Sequence, residues 1–226
     1  MKGRLIFGAA LAGLLACTGM IGDGNSVAQK PTTLSASSMR RLSRVQYQQT
    51  VFDLIGVSVD TTPLPEDVKD PFDDDAISQL VSPALIAALE QLAQQAATAL
   101  LAQPALLAKV VGCTPKAPDD AACFKTFVTA FGRRALRRPL TQQEIDEFMA
   151  LQALGVEDKN FYTGVETVLR VLLQDPQFVY RIEIGKPVDG AAGWARLNGF
   201  EMATRLSYFL WGGPPDDPLL DAATAG

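Results

Sequence analysis

Three cysteines and the absence of any histidine set the chemistry open to this 226-residue chain. Without histidine there is no Ser-His-Asp or Cys-His arrangement, no His-ligated zinc, no His axial ligand for a c-type haem and no imidazole acid–base catalysis. Cys113 and Cys123 enclose Thr-Pro-Lys-Ala-Pro-Asp-Asp-Ala-Ala, a turn-rich stretch that closes a small loop. They are too far apart for a CxxC redox motif, and no second pair exists to complete a zinc site. A structural disulfide is the expected use of this pair. Glu144, Asp146 and Glu147 are acids in the first turn of a capped helix, where carboxylates stabilise the helix and are poorly placed for paired-carboxylate hydrolysis. Asp73, Asp74 and Asp75 lack the alternating spacing and central glycine of an EF-hand, and read as capping or ion-pairing groups rather than a calcium site. Arg133, Arg134, Arg137 and Arg138 recur at i and i+4 near the end of a helix. Pairing with protein carboxylates, such as the acids of residues 66–75, is the expected role, with a phosphate or sulfate site as the alternative. The sequence assigns no catalytic residue, no metal ligands and no cofactor.

The third cysteine belongs to an address. Lys2 and Arg4 precede an apolar run over residues 5–16 that is shorter than the ~20 residues a membrane span needs but suits a secretory signal. It ends Leu14-Leu15-Ala16-Cys17, which resembles a bacterial lipobox. Cys17 is therefore the expected lipid attachment site and mature N-terminus, with an ordinary cleaved signal as the alternative. Thr18 after the cysteine points to the outer membrane, facing the periplasm or cell surface. Export implies an oxidising compartment, which favours bridging of Cys113 and Cys123. With 25 acids against 20 bases, the net charge of −5 argues against nucleic acid as a partner.

These groups need elements to hold them. Residues 17–36 are small and polar and read as a tether. Ser37 or Ser38 is placed to cap a helix running to Ile55, with Gly56 at its C-terminal stop. Ser82-Pro83 opens a second long helix, Pro104 breaks it, and Asp119 or Asp120 opens another that Pro139 stops. Thr141 with Glu144 forms a capping box for a helix ending at Gly155. A further helix starts near Asp158, and Asn198 caps one that closes at Gly212-Gly213. In that last helix Tyr208-Phe209-Leu210-Trp211 reads as core. The expected class is all-α, with about seven helices in an irregular bundle and domains over residues 37–112 and 113–226. Beyond Trp211, the apolar Leu219, Leu220 and Ala223 look like half of an interface, so residues 213–226 are expected to fray.

Five stretches resemble one family. They are Arg41-Leu42 with Arg44, Tyr47 and Asp53-Leu54; Phe72-Asp73 with Ser82-Pro83; Phe131-Gly132-Arg133-Arg134-Ala135 through Thr141; Pro176, Phe178, Tyr180-Arg181 and Glu183; and Arg205-Leu206-Ser207-Tyr208-Phe209-Leu210-Trp211 with Pro215-Asp216-Asp217. Together they resemble secreted planctomycete- and myxobacterial-type proteins built from domains of unknown function numbered fifteen-eighty-seven, fifteen-ninety-five and fifteen-ninety-two. The chain departs from the pattern at Pro71 and Asp74. The resemblance implies a periplasmic or surface setting among c-type cytochromes as partners, and assigns no catalytic residue. It frames two expectations. One is an envelope-anchored helical lipoprotein with a structural or interaction role. The other is the N-terminal portion of a larger secreted redox or other enzyme whose chemistry lies in further C-terminal domains.

Overall fold

The computed structural model describes residues 39–67, 81–191 and 193–226. Residues 1–38, which include Cys17, the signal-like run and Ser37 and Ser38, lie outside it, as does the acidic stretch Asp70 to Asp75. The described residues are all-α, with ten helices and two two-stranded pairings of two residues each.

The chain enters through β1 (Arg40–Arg41) and turns into α1 (Arg44–Ile55). The helix begins later than Ser37 or Ser38 because residues 40 and 41 are held extended by pairing with β2 (Tyr180–Arg181). Ser43 then caps it, in a reciprocal box with Gln46. Gly56 ends α1 at φ 72°, a left-handed conformation that glycine takes without strain. After Ser82, α2 (Pro83–Leu101) and α3 (Pro104–Val111) follow, separated by the break at Pro104.

Asp120 caps α4 (Ala121–Leu136), which stops at a left-handed Arg137. Thr141 and Glu144 form the expected capping box of α5 (Gln142–Ala150). The chain kinks and resumes as α6 (Gln152–Glu157), running past Gly155. That glycine is there for packing rather than termination: a Cβ would meet the Asn160 carbonyl oxygen at 2.9 Å. Asn160 caps α7 (Phe161–Gln174), two residues beyond Asp158, near which the sequence places the start of the helix. The short α8 (Pro176–Val179) leads into β2, and β3 (Lys186–Pro187) pairs with β4 (Ala195–Arg196). Asn198 and Glu201 form the box that opens α9 (Gly199–Trp211), and α10 (Asp217–Ala225) folds back on it.

The core centres on α7, whose Val165, Val168, Leu169 and Leu172 are fully buried against α2, α4 and α6. One hydrophobic cluster continues from Leu42 through α1, α2, α4 and α7 to Tyr208 of α9. The expectation of a frayed C-terminal segment is corrected. Leu220 is fully buried, and Gly199 admits α10 so closely that a Cβ would sit 2.6 Å from the Ala223 carbonyl oxygen. Burial of this apolar stripe supplies what so short a helix lacks on its own.

Candidate functional site

The Cys113 and Cys123 sulfurs lie 2.00 Å apart, with Cα atoms 5.8 Å apart. This is disulfide distance, and it links the segment after α3 to the first turn of α4. Among the described residues, no group of three or more His, Cys, Asp or Glu is arranged to hold a metal ion.

The four arginines around the end of α4 diverge. Only Arg133 and Arg134 are helical, because the left-handed Arg137 turns the chain before the i, i+4 face can continue. Arg133 reaches Asp221 at 2.5 Å and Asp217 at 3.6 Å, tying α4 to α10. Arg138 clasps Glu144 at 2.6 and 2.9 Å and also donates to the Gln177 side chain. This clasp, together with the bonds from Thr141, holds the Glu144 carboxyl down to about 2. Glu144 thus serves the cap and the clasp. Arg134 donates to a backbone oxygen, that of Asp53 at 2.8 Å. For Arg133 and Arg138 the acceptors are carboxylates, those of Asp217, Asp221 and Glu144 rather than of residues 66–75; for Arg134 and Arg137 they are carbonyls.

Arg137 is the unusual member. It is 4% exposed, and its guanidinium donates to the carbonyls of Phe178 at 3.1 Å, Tyr180 at 3.0 Å and Gln177. Those carbonyls crowd the C-terminal end of α8, where a cation is favoured. Burial pushes the Arg137 guanidinium below its ordinary value, Tyr208 and Asp175 oppose that shift, and Arg181 adds to it. An arginine still remains charged. The guanidiniums of Arg137 and Arg181 lie 5.9 and 5.5 Å from the centre of the Tyr208 ring, a cation–π arrangement. The Tyr208 hydroxyl lies 2.8 Å from Thr50 Oγ1. Thr50 spends its single proton on the Gln46 carbonyl at 2.6 Å, so Tyr208 is the donor. The Arg137, Arg181 and Tyr208 junction was not legible as a unit, since its members are 44 and 27 residues apart in sequence.

Beside the junction a cavity of about 220 Å³ lies between the end of α4 and the first turn of α9. Its acid, Glu201, accepts from the backbone nitrogens of Asn198 at 2.8 Å, Ile184 at 2.9 Å and Gly185 at 3.1 Å. Burial opposes ionisation of this carboxyl, but the three N–H donors prevail and hold it below its ordinary range. Glu201 therefore fixes the chain ahead of α9, and Arg205 clasps Glu183 in the same region.

The inner face of α9 is buried through Thr204, Ser207 and Tyr208. Its outer face is not. Met202, Leu206, Phe209 and Leu210 recur at helical spacing and all stand exposed, Phe209 by 82%. The expectation that Tyr208-Phe209-Leu210-Trp211 is core is corrected: Tyr208 is core and the other three face outward. The available signal was that Met202, Leu206, Phe209 and Leu210 make one apolar face at helical spacing, on a side that Thr204, Ser207 and Tyr208 do not share.

Comparison with known families divides the chain into three matched stretches. Residues 40–102 match a family described as Protein of unknown function (DUF1587), residues 123–183 one described as Protein of unknown function (DUF1595), and residues 197–226 one described as Protein of unknown function (DUF1592). No curated protein and no solved structure matches. The three stretches interlock: β1 pairs with β2, Thr50 bonds Tyr208, and Arg133 bonds Asp221.

Proposed function

The chain belongs to the family built from the DUF1587, DUF1595 and DUF1592 domains, and we propose that it serves as an envelope-anchored helical module with an interaction role. The observation that carries this reading is the outer face of α9, four large apolar side chains held in the open by a helix whose other side is locked into the fold. Exposing such a face to water is unfavourable, and contiguous exposed apolar patches mark association surfaces. Its helical spacing suits an apolar helix of a partner protein, packed ridge into groove. The commitment of Arg133, Arg137, Arg138, Glu144 and Glu201 to fold contacts supports a binding rather than a chemical role. The Lys2 and Arg4 pair, the short apolar run and the Leu-Leu-Ala-Cys ending support lipidation at Cys17, and Thr18 after it supports an outer-membrane address.

The test uses the full chain expressed with its own N-terminal segment. Cys17→Ser should move the protein from the membrane to the soluble periplasmic fraction. Affinity capture from membranes should retain the same protein with wild type and lose it with both Leu206→Asp and Phe209→Asp, while all three keep one melting temperature. Recovery of a c-type cytochrome would favour the redox setting. Unchanged capture by both variants, or unchanged membrane fractionation of Cys17→Ser with no acyl mass on the mature wild-type protein, would refute the corresponding half of the reading.

A further inference from the structure

Where the C-terminal end of α1 meets α3 and α4, a groove of about 400 Å³ opens on the surface. It lies within the size range of small-molecule sites, about 300–1,000 Å³. Leu106 and Val110, both half-buried, and the exposed Phe52 give it apolar walls, over a floor formed by the buried Leu54 and Ile55. Gly56 allows this arrangement. A Cβ at that position would meet the Leu106 side chain at 3.3 Å, so Leu106 would have to give way to a larger residue.

The polar lining is mainly cationic. Lys109 of α3 and Arg134 of α4 both border the groove, in a chain whose net charge is −5. Its one acid, Asp53, accepts from Gln49 Nε2 at 2.7 Å. Arg134 donates to the Asp53 backbone oxygen, which fixes its guanidinium at the groove while leaving further N–H donors on the same fork. Apolar walls with two cations at one site complement a ligand that is apolar along its length and anionic at its end. We propose that this groove binds a small aliphatic carboxylate, its alkyl chain against Phe52, Leu106 and Val110 and its carboxylate between Lys109 and Arg134. The site is separate from the outer face of α9 and does not depend on the role proposed for that face.

Calorimetric titration of the full chain with octanoate, 1-octanol and octylammonium separates the charge from the tail. Octanoate should bind with one-to-one stoichiometry. Octanol should bind about tenfold more weakly, the scale of one charge-assisted hydrogen-bonded contact, and octylammonium should not bind. Lys109→Gln, an exposed position away from the α1 cap, should weaken octanoate several-fold at unchanged melting temperature. Leu106→Trp should abolish binding, and Phe209→Asp should leave it as in wild type. The proposal is overturned if octanol and octanoate bind equally, if octanoate gives no heat, if Lys109→Gln binds as wild type, or if Phe209→Asp removes binding.

Discussion

The surroundings of α7 and those of α9 are built from the same kind of sequence and end in opposite states. Both helices carry large apolar residues at helical spacing, and both open on an asparagine cap. Around α7, helices α2, α4 and α6 close over every apolar position that the core cluster contains. Around α9, a polar lock of Tyr208, Thr50, Arg137 and Arg181 secures the inner side, α10 covers part of the remainder, and the outer apolar face stays in water. Apolar periodicity therefore reports that a face wants burial, not that this chain buries it. The difference is measurable by perturbing each region in turn.

The largest effect is expected in the α7 surroundings. Phe127 of α4 is fully buried between Phe124 and Phe131. Phe127→Ala should cost about 3–5 kcal/mol in denaturant unfolding through lost burial and an unfilled cavity. The polar lock should come next. Arg137→Met removes the donor to the buried Phe178 and Tyr180 carbonyls and the part-buried one of Gln177, and about 3 kcal/mol should be lost, lowering the melting temperature by roughly 10 °C. If Arg137→Met were neutral, the Arg137 part of the lock would carry no stability, and the contrast between the two regions would rest on the Tyr208–Thr50 bond alone.

Smaller effects sharpen the same contrast. Reducing the Cys113–Cys123 link frees a short loop at the start of α4, worth about 2.5–3 kcal/mol in the chain-entropy account. Non-reducing peptide mapping should find the two cysteines in one species, and Cys113→Ser with Cys123→Ser should lower the melting temperature. Next comes the acid response of the Arg138–Glu144 clasp. Because the folded Glu144 carboxyl is held down to about 2 by Arg138 and by Thr141, its stabilisation is complete above the ordinary glutamate range, near 4.5. It is lost as pH falls from there toward 2. The pair is partly open to solvent, so about 1 kcal/mol is expected. Glu144→Gln should flatten that limb of the stability profile. The smallest change belongs to Phe209→Ala, which should stay within about 0.5 kcal/mol of wild type because the ring buries little.

Much of the fold was legible because its signals are local. Gly56, Ser82-Pro83, Asp120, the Thr141 and Glu144 box and Asn198 each mark a boundary through contacts within four residues. What stayed hidden depends on distant partners. Arg40 and Arg41 are extended because of Tyr180 and Arg181, and Gly155 is glycine because Asn160 returns to it. Leu220 is core because Gly199 and Arg133 receive its helix. The candidate surface was misread for a related reason. A four-residue motif such as Tyr208 to Trp211 spans one full turn, so its members cannot share a face, and only the three-dimensional neighbours decide which side is covered.

The most direct test of the interaction role is site-specific photocrosslinking in cells expressing the intact chain, with a photoreactive phenylalanine analogue placed at position 209 or at Val45, an exposed residue of α1. The account predicts one discrete adduct from position 209, mapping by mass spectrometry to an apolar helical segment of a single protein, and none from position 45. No adduct at 209, or the same adducts from both positions, would contradict it.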